Sequence, residues 1–233
     1  MKRQFDPAEP ELMDRPQPVS AELESDLHNL RQLNRFFGSY SLVRRFLRKW
    51  IQPSATLRVL DLATGSGDIP RLIADFSRQI GVSAQIDAVD QQAATVEIAL
   101  KLSGGYPEIV FRQTDVFEWG EPRAYDIVLC SLALHHFTEE DAVRLLRHCR
   151  ELTRQFVLIS DLRRGLFATI GVYLLTAILF RDPMTRYDGR VSAARAFSFR
   201  ELHALAQRAG WKNFHHRRFR FARQAIWLDR HES

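Results

Sequence analysis

The first fifty residues contain two helical patterns behind a polar start. Residues 1–19 are polar and rich in proline, and they predict a poorly ordered arm. From Ser20, apolar side chains recur every three or four positions up to Phe37, and Gly38 is a plausible end for this helix. A second short helix before Pro53 is predicted from an apolar face made of Val43, Phe46, Leu47, Trp50 and Ile51.

From Leu57 the chain alternates short apolar runs with helical patterns. Strands are predicted at 57–63, 85–91, 109–115, 125–134 and 155–162. Helices are predicted at 65–81, 92–105 and 139–152. Strands that alternate with helices of this length indicate an α/β fold with a parallel, doubly wound sheet.

The pattern resumes after a break at 163–197. Residues 198–210 predict a helix in which Ser198 and Glu201 form a capping box and Gly210 is the stop. Two tightly joined strands, at 211–222 and 224–230, should then be antiparallel. Within the first of them we expect Phe219 and Phe221 to point inward and Arg218 and Arg220 to face solvent, rather than to bind nucleic acid.

The break contains an uncharged apolar run from Gly165 to Phe180, shorter than the roughly 20 residues that span a bilayer. It predicts a buried helix; a lid over an apolar substrate, a dimer face and a helix lying in a membrane surface are the alternatives. We expect the run to form a cap over the carboxyl end of the sheet, roofing an apolar pocket. The residues expected in that roof are Leu174, Leu175 and Ile178, with Phe36, Phe37 and Tyr40 from the N-terminal helices.

Composition narrows the class of protein. The 233 residues are 45% hydrophobic and 26% charged, which fits an ordinary globular protein, and the length fits either one large domain or one domain with an appendage. We divide the chain into an arm with cap helices at 1–53 and a main domain at 54–233, with the cap insertion at 163–197. Cys130 and Cys149 cannot form a disulfide framework or a metal site on their own.

Charge and targeting signals change this picture little. The net charge is 33 − 28 = +5, but the basic residues are scattered, which makes a nucleic-acid partner improbable. The start of the chain has no signal-peptide pattern, so a cytoplasmic enzyme is expected. Nothing in the sequence indicates a metal.

The stretch VLDLATGSGDI, residues 59–69, carries the clearest chemistry. A strand that ends at Asp61, turns through Gly65 and Gly67 and enters a helix can hold an adenosyl ligand against free backbone amides. A dinucleotide fingerprint would need a third glycine where this chain has Pro70. The turn therefore does not favour a pyrophosphate.

These residues resemble the first motif of class I S-adenosylmethionine-dependent methyltransferases, in the branch similar to ubiquinone and menaquinone methyltransferases. Asp61, Gly65 and Gly67 match that motif, and Ala63 replaces its first glycine. The resemblance implies a Rossmann-like sandwich with a seven-stranded, mostly parallel sheet whose last strand is antiparallel, plus a helical cap. It also implies that the glycine turn contacts the methionine part of the cofactor.

Further positions follow in the order that the resemblance requires. Asp90, with Gln91 beside it, stands where the family places an acid on the ribose hydroxyls. The pair formed by Asp115 and Val116 resembles the adenine-binding position. At the exit of the fourth strand, Ser131 and Leu132 would line the methionine end.

His135 and His136 are the candidate catalytic residues. They follow the fourth predicted strand, at the end where doubly wound sheets bind ligands. An imidazole there can take a proton from a phenol or enol, and turnover would then rise with pH through about 6–7. The alternative is that one of them caps the next helix or bonds to backbone.

The polar part of the cap offers two interpretations. Arg186, Tyr187, Asp188 and Arg195 either pair with an oxyanion or anchor the segment. The apolar cap favours an apolar small-molecule acceptor, namely a phenol, quinol, polyketide or lipid-like enol of secondary metabolism, and O-methylation. The alternatives are an RNA or protein methyltransferase and a non-catalytic cofactor-binding module. The sequence does not decide whether the chain forms a homodimer or contacts a membrane surface.

Overall fold

The computed structural model describes residues 2–52, 56–165, 171 and 182–230. Seven helices are numbered here within that part of the chain: α1 (Ala21–Phe36), α2 (Ser39–Trp50), α3 (Asp68–Gln79), α4 (Ala93–Leu102), α5 (Glu139–Leu152), α6 (Pro183–Arg195) and α7 (Phe199–Arg208). The strands are β1 (Leu57–Leu62), β2 (Ala84–Asp90), β3 (Ile109–Gln113), β4 (Tyr125–Ser131), β5 (Thr153–Leu162), β6 (His215–Phe219) and β7 (Arg223–Asp229). Two short 3-10 helices lie at Leu12–Asp14 and Leu134–His136.

The strands form one seven-stranded sheet in the order β3-β2-β1-β4-β5-β7-β6. β1 to β5 pair in parallel, with Leu60 opposite Asp87 on one side and Val128 on the other. β7 runs antiparallel to both β5 and β6. This confirms the predicted fold class, and the order reverses between β1 and β4, where ligands bind in doubly wound sheets.

Alternating side chains of the central strands build the two halves of the core. One set, including Leu60, Leu62 and Val128, packs with α5 and α7, while the set with Val59 and Ile127 packs with α2 and α3. Successive side chains of a strand point to opposite faces of the sheet, and helices cover both faces. Because both sets of side chains are buried, each strand is a continuous apolar run in the sequence. α2 therefore lies on the sheet itself, and the division of the chain at residue 53 stays a prediction.

The N-terminal arm is packed, so the expectation of a poorly ordered segment is wrong. The Arg3 guanidinium donates to the carbonyls of Arg195 (2.6 Å), His135 (3.0 Å) and Phe137 (2.8 Å), and it stacks 3.8 Å from the ring of Phe197. Composition misled because a few long-range charge-assisted bonds, rather than an apolar face, order the segment.

Helix α6 supplies the anchors for this arm. The Asp188 carboxylate accepts from the amides of Leu12 (2.7 Å) and Met13 (3.0 Å). The Arg195 guanidinium donates to the carbonyls of Asp6 (2.6 Å) and Glu9 (2.5 Å). Of the two interpretations of this polar stretch, these contacts favour anchoring.

Most of the apolar run 165–180, which was expected to form the roof, lies outside the described residues. That holds for Leu174, Leu175 and Ile178, so their position over the sheet stays a prediction. Among the helices that can be described, none has the length and apolar character needed to cross a bilayer.

The prediction for the basic strand near the C-terminus is half right. Arg218 and Arg220 face solvent, but Phe221 is 56% exposed because β6 ends at Phe219 and the chain turns through Phe221 and Ala222 with positive φ. Phe221 packs edge-on against Phe37, with ring centroids 5.5 Å apart.

Candidate functional site

One cavity of about 520 Å³ lies at the carboxyl ends of β1, β2 and β4, as bounded by the described residues. Its walls come from the glycine turn after β1, the ends of the neighbouring strands, helix α1 and the N-terminal arm. A volume in this range suits a small ligand rather than a macromolecular segment.

The turn after β1 bends through left-handed backbone. Ala63 and Gly65 both have φ 55°, and Gly67 has φ 72°. At Gly67 a Cβ atom would lie 2.7 Å from the Phe111 ring, so packing as well as conformation demands glycine there. Ala63, which replaces the first glycine of the motif, adopts the strained conformation with a side chain.

Asp61 supports this turn from behind. Its buried carboxylate accepts from the Thr64 hydroxyl (2.7 Å), and its other oxygen is buried without a partner. Burial raises the pKa of Asp61 to about 8, although the bond from Thr64 opposes the rise. Asp61 and Gly67 shape the turn but do not line the cavity, unlike Ala63 and Gly65.

Asp90 ends β2 and joins the strand to the glycine turn. Its carboxylate accepts from the amides of Gly65 (2.8 Å) and Gln92 (3.0 Å), one on each oxygen. Burial raises its pKa, and these two bonds oppose the rise. Each oxygen keeps a lone pair for a further donor, so the carboxylate can still accept from a diol in the cavity.

The remaining predicted cofactor residues also line this cavity. They are Gln91, Asp115, Val116, Ser131 and Leu132. The Asp115 carboxylate accepts from the Phe117 amide (2.9 Å), and Leu132 has φ 58° and donates its amide to the Ser160 carbonyl (2.8 Å). Apart from Asp61 and Gly67, the predicted cofactor positions therefore all line one cavity.

The two histidines also line this cavity, from the short helix after β4. The Nδ1 atom of His135 lies 2.6 Å from Asp161 on β5, and Nδ1 of His136 lies 2.5 Å from Asp14 of the arm. Both Nε2 atoms face one buried carboxylate oxygen of Glu11, at 3.6 Å from His135 and 3.7 Å from His136. We call these five residues the histidine–carboxylate cluster.

Charge pairing dominates this cluster. Burial disfavours the charged imidazoles, but Asp161 outweighs it at His135 and raises its pKa, while Glu11 and Asp14 raise the pKa of His136 to about 10. Burial works against the Glu11 carboxylate too, yet the histidines lower its pKa to about 2. The cluster therefore favours the protonated form of both imidazoles and the ionised form of Glu11.

Apolar side chains make up another part of the cavity lining. They include Leu27, Leu30, Leu33, Phe37, Phe137 and Phe221. Of the three aromatic residues expected in the roof, Phe37 lines this cavity, whereas Phe36 is 65% exposed and Tyr40 lines a separate groove with Arg44 and Tyr106. Phe36 was assigned wrongly because neighbouring residues of a helix point in different directions.

Sequence reasoning missed the carboxylates of the cluster and Ser192, whose hydroxyl donates to Glu11 (2.7 Å). No local spacing links these residues; Asp14 and His136 are 122 positions apart. The available signals were the acidic residues of the arm and the polar residues of α6. Composition alone does not show that these two segments meet.

Comparison with known proteins supports the resemblance to methyltransferases that the sequence motifs indicate. Residues 59–155 match the sequence family described as a methyltransferase domain. A 2-phytyl-1,4-naphtoquinone methyltransferase of Thermosynechococcus vestitus is 32% identical over 79 residues, which span 34% of this chain and 34% of that protein. The match thus covers about a third of this curated relative.

Solved structures show the fold. A SAM-dependent methyltransferase from Aquifex aeolicus superposes with a TM-score of 0.60 at 15% identity, covering 88% of this chain and 96% of that one. The magnesium protoporphyrin IX methyltransferase of Synechocystis PCC 6803 with bound SAH gives a TM-score of 0.58 at 16% identity, covering 92% and 89%.

Proposed function

We propose that this chain, which belongs to the class I S-adenosylmethionine-dependent methyltransferases, transfers a methyl group to an oxygen atom of an apolar small molecule. The observation that carries the proposal is the cavity itself. Its lining includes Asp90, Asp115 and the glycine turn, which we call the cofactor wall. It also includes Glu11, His135 and His136, which we call the acceptor wall, together with apolar side chains. Two different ligands can meet there with water excluded.

The cofactor wall fits S-adenosylmethionine by its chemistry. When bound, this cofactor supplies an electrophilic methyl group on a sulfonium. Asp90 has free lone pairs for the two ribose hydroxyls, and the turn at Gly65 leaves open space where a side chain would intrude. Val116 offers an apolar contact for the adenine ring, and Asp115 an acceptor for its amino group.

The acceptor wall fits an oxygen nucleophile. His135 and His136 line the cavity, so an imidazole nitrogen can form a hydrogen bond with the oxygen atom of the acceptor. The raised pKa values of the two imidazoles also change the expected pH profile. A histidine that acts as a base must lose its proton first, so turnover through such a base would rise well above the pH of 6–7 that a free imidazole predicts.

The surroundings of the cavity support a small acceptor over RNA or a protein. Apolar side chains make up much of its lining, and residues of the arm line it as well. Both cysteines are free and buried, which agrees with a reducing compartment, and we propose that the enzyme acts in the cytoplasm.

A labelling experiment tests the proposal. The full chain is incubated with S-adenosylmethionine carrying a deuterated methyl group and with a panel of phenols, quinols and β-dicarbonyl enols, and the products are analysed by mass spectrometry. We expect a deuterated methyl on oxygen in at least one apolar acceptor. At a cofactor concentration near the wild-type Kd, Asp90→Ala should reduce transfer, whereas Glu97→Gln, a change on the exposed side of α4, should not.

Two results would contradict the proposal. Label transferred to RNA or protein but to no small molecule would support a macromolecular acceptor. If the wild-type chain bound neither S-adenosylmethionine nor S-adenosylhomocysteine, the chain would have the fold of a methyltransferase but not the activity that we propose.

A further inference from the structure

The histidine–carboxylate cluster contains three ligand atoms that converge on one point. Nε2 of His135 and Nε2 of His136 lie 3.6 and 3.7 Å from the same side chain, Glu11, and the three ligating atoms all lie within 4.8 Å of one another. Two ligands that each lie about 2.1 Å from an ion at a tetrahedral angle are about 3.4 Å apart. The spacing therefore suits a divalent ion after small side-chain movements.

The outer contacts orient these atoms as metal ligands. His135 Nδ1 faces Asp161 and His136 Nδ1 faces Asp14, so each Nδ1–H is held by a carboxylate and each Nε2 is directed inward. Metal-binding histidines in proteins are usually fixed in this way, because the outer carboxylate sets the tautomer and raises the basicity of the ligating nitrogen. The Ser192 hydroxyl fixes the Glu11 carboxylate in a similar manner.

The charge of the cluster also suits an ion. Glu11, Asp14 and Asp161 are three carboxylates around two imidazoles, and all but Asp14 and His136 are buried. Two imidazoles with one carboxylate are a donor set for first-row transition metals rather than for Mg²⁺ or Ca²⁺.

One side of this site is open to the cavity. Glu11, His135 and His136 all line it, so an ion there would keep at least one coordination position for a ligand from the cavity. Three protein ligands with an open position are typical of catalytic rather than structural metal sites. An oxygen donor such as a phenolate or enolate is the ligand class that this position and the apolar walls would take.

We propose that Glu11, His135 and His136 bind a divalent first-row transition-metal ion, which holds the oxygen atom of the methyl acceptor. The identity of that oxygen ligand rests on the proposed function, whereas the ion site does not. The ion acts by position and charge: it orients the acceptor oxygen toward the cofactor wall.

The test uses Co²⁺, whose visible absorption reports coordination, and Zn²⁺ as its competitor. Full-length protein without a polyhistidine tag is treated with a chelator, dialysed and titrated with Co²⁺. We expect d–d absorption that saturates at one ion per chain and is displaced by Zn²⁺. Glu11→Gln and His136→Ala should weaken Co²⁺ binding at least about 10-fold, and Asp14→Asn about 10- to 100-fold.

His28→Gln is the matched control, since His28 is exposed on α1 and its loss should leave the absorption unchanged. Circular dichroism shows whether each variant is folded. The proposal would be overturned if Co²⁺ caused no absorption change in the wild-type chain. It would also be overturned if Glu11→Gln and His136→Ala each kept the wild-type absorption.

Calorimetry with S-adenosylhomocysteine on the same samples separates this proposal from the proposed function. Cofactor binding without Co²⁺ binding would contradict the ion site alone. Co²⁺ binding without cofactor binding would contradict the proposed function and leave the ion site standing.

Discussion

The two walls of the cavity are built in different ways. The cofactor wall comes from the ends of adjacent parallel strands and from the seven-residue stretch Asp61–Gly67, so chain order alone brings its residues together. The acceptor wall is assembled from the arm, the exit of β4, β5 and α6, through side-chain contacts between distant parts of the sequence.

This difference separates backbone geometry from side-chain chemistry. The cofactor wall uses left-handed turns and carboxylates that accept from backbone amides, at Gly65 and Asp90. The acceptor wall uses ionised side chains that neutralise one another, at Glu11, His135 and His136. We expect changes in the first wall to affect folding and cofactor affinity, and changes in the second to affect the arm and the acceptor.

The largest effect should come from the buried carboxyl beneath the cofactor wall. Burial raises the pKa of Asp61 to about 8, so between pH 4 and 8 the folded state keeps a proton that the unfolded chain releases. The free energy of unfolding should therefore fall as pH rises across this window, by up to about 1.4 kcal/mol per pH unit. Above it the contribution is constant.

Asp26, Asp68, Asp90 and Asp188 also have raised pKa values, so Asp61→Asn should remove only the part of the slope that belongs to Asp61, as measured by urea unfolding at several pH values. If the difference between variant and wild type is the same at low and high pH, Asp61 does not titrate within the fold. Asp61 would then contribute nothing to the pH dependence of the free energy of unfolding.

The next effect tests whether the glycine turn depends on packing. Gly67→Ala should lower the free energy of unfolding by about 2–4 kcal/mol, because a left-handed alanine is strained and its Cβ would meet the Phe111 ring at 2.7 Å. Gly65→Ala is the matched control, with no atom within 4 Å of its Cβ, and should cost about 1 kcal/mol. Equal losses in chemical denaturation would show that conformation alone matters.

A smaller effect belongs to the acceptor wall. Glu11→Gln should lower the free energy of unfolding by about 1–3 kcal/mol, since it removes the buried charge that both imidazoles face. Protease cleavage within the arm should also become faster. Glu97→Gln, on an exposed surface, should stay within about 0.5 kcal/mol of wild type, and an equally small effect of Glu11→Gln would mean that the arm is held by Arg3 and α6 alone.

These two kinds of construction explain what could be predicted from sequence. The strands, the helix Glu139–Leu152, the capping box at Ser198 and the glycine turn depend on neighbours in the chain, and the structure confirms them. Glu11 and Asp14 could not be predicted, because their partners are set by tertiary packing. Phe221 was misplaced for a related reason, since the pattern does not show where β6 ends.

The most direct test of the cofactor wall is calorimetric titration of S-adenosylhomocysteine into wild type, Asp90→Ala and Glu11→Gln. We predict micromolar affinity for wild type, about −8 kcal/mol. Asp90→Ala should lose about 1–3 kcal/mol of it, and Glu11→Gln should change it less than about 2-fold, because we propose that the ribose hydroxyls donate to Asp90 and not to Glu11. Unchanged affinity in Asp90→Ala, or no binding to wild type, would contradict the account.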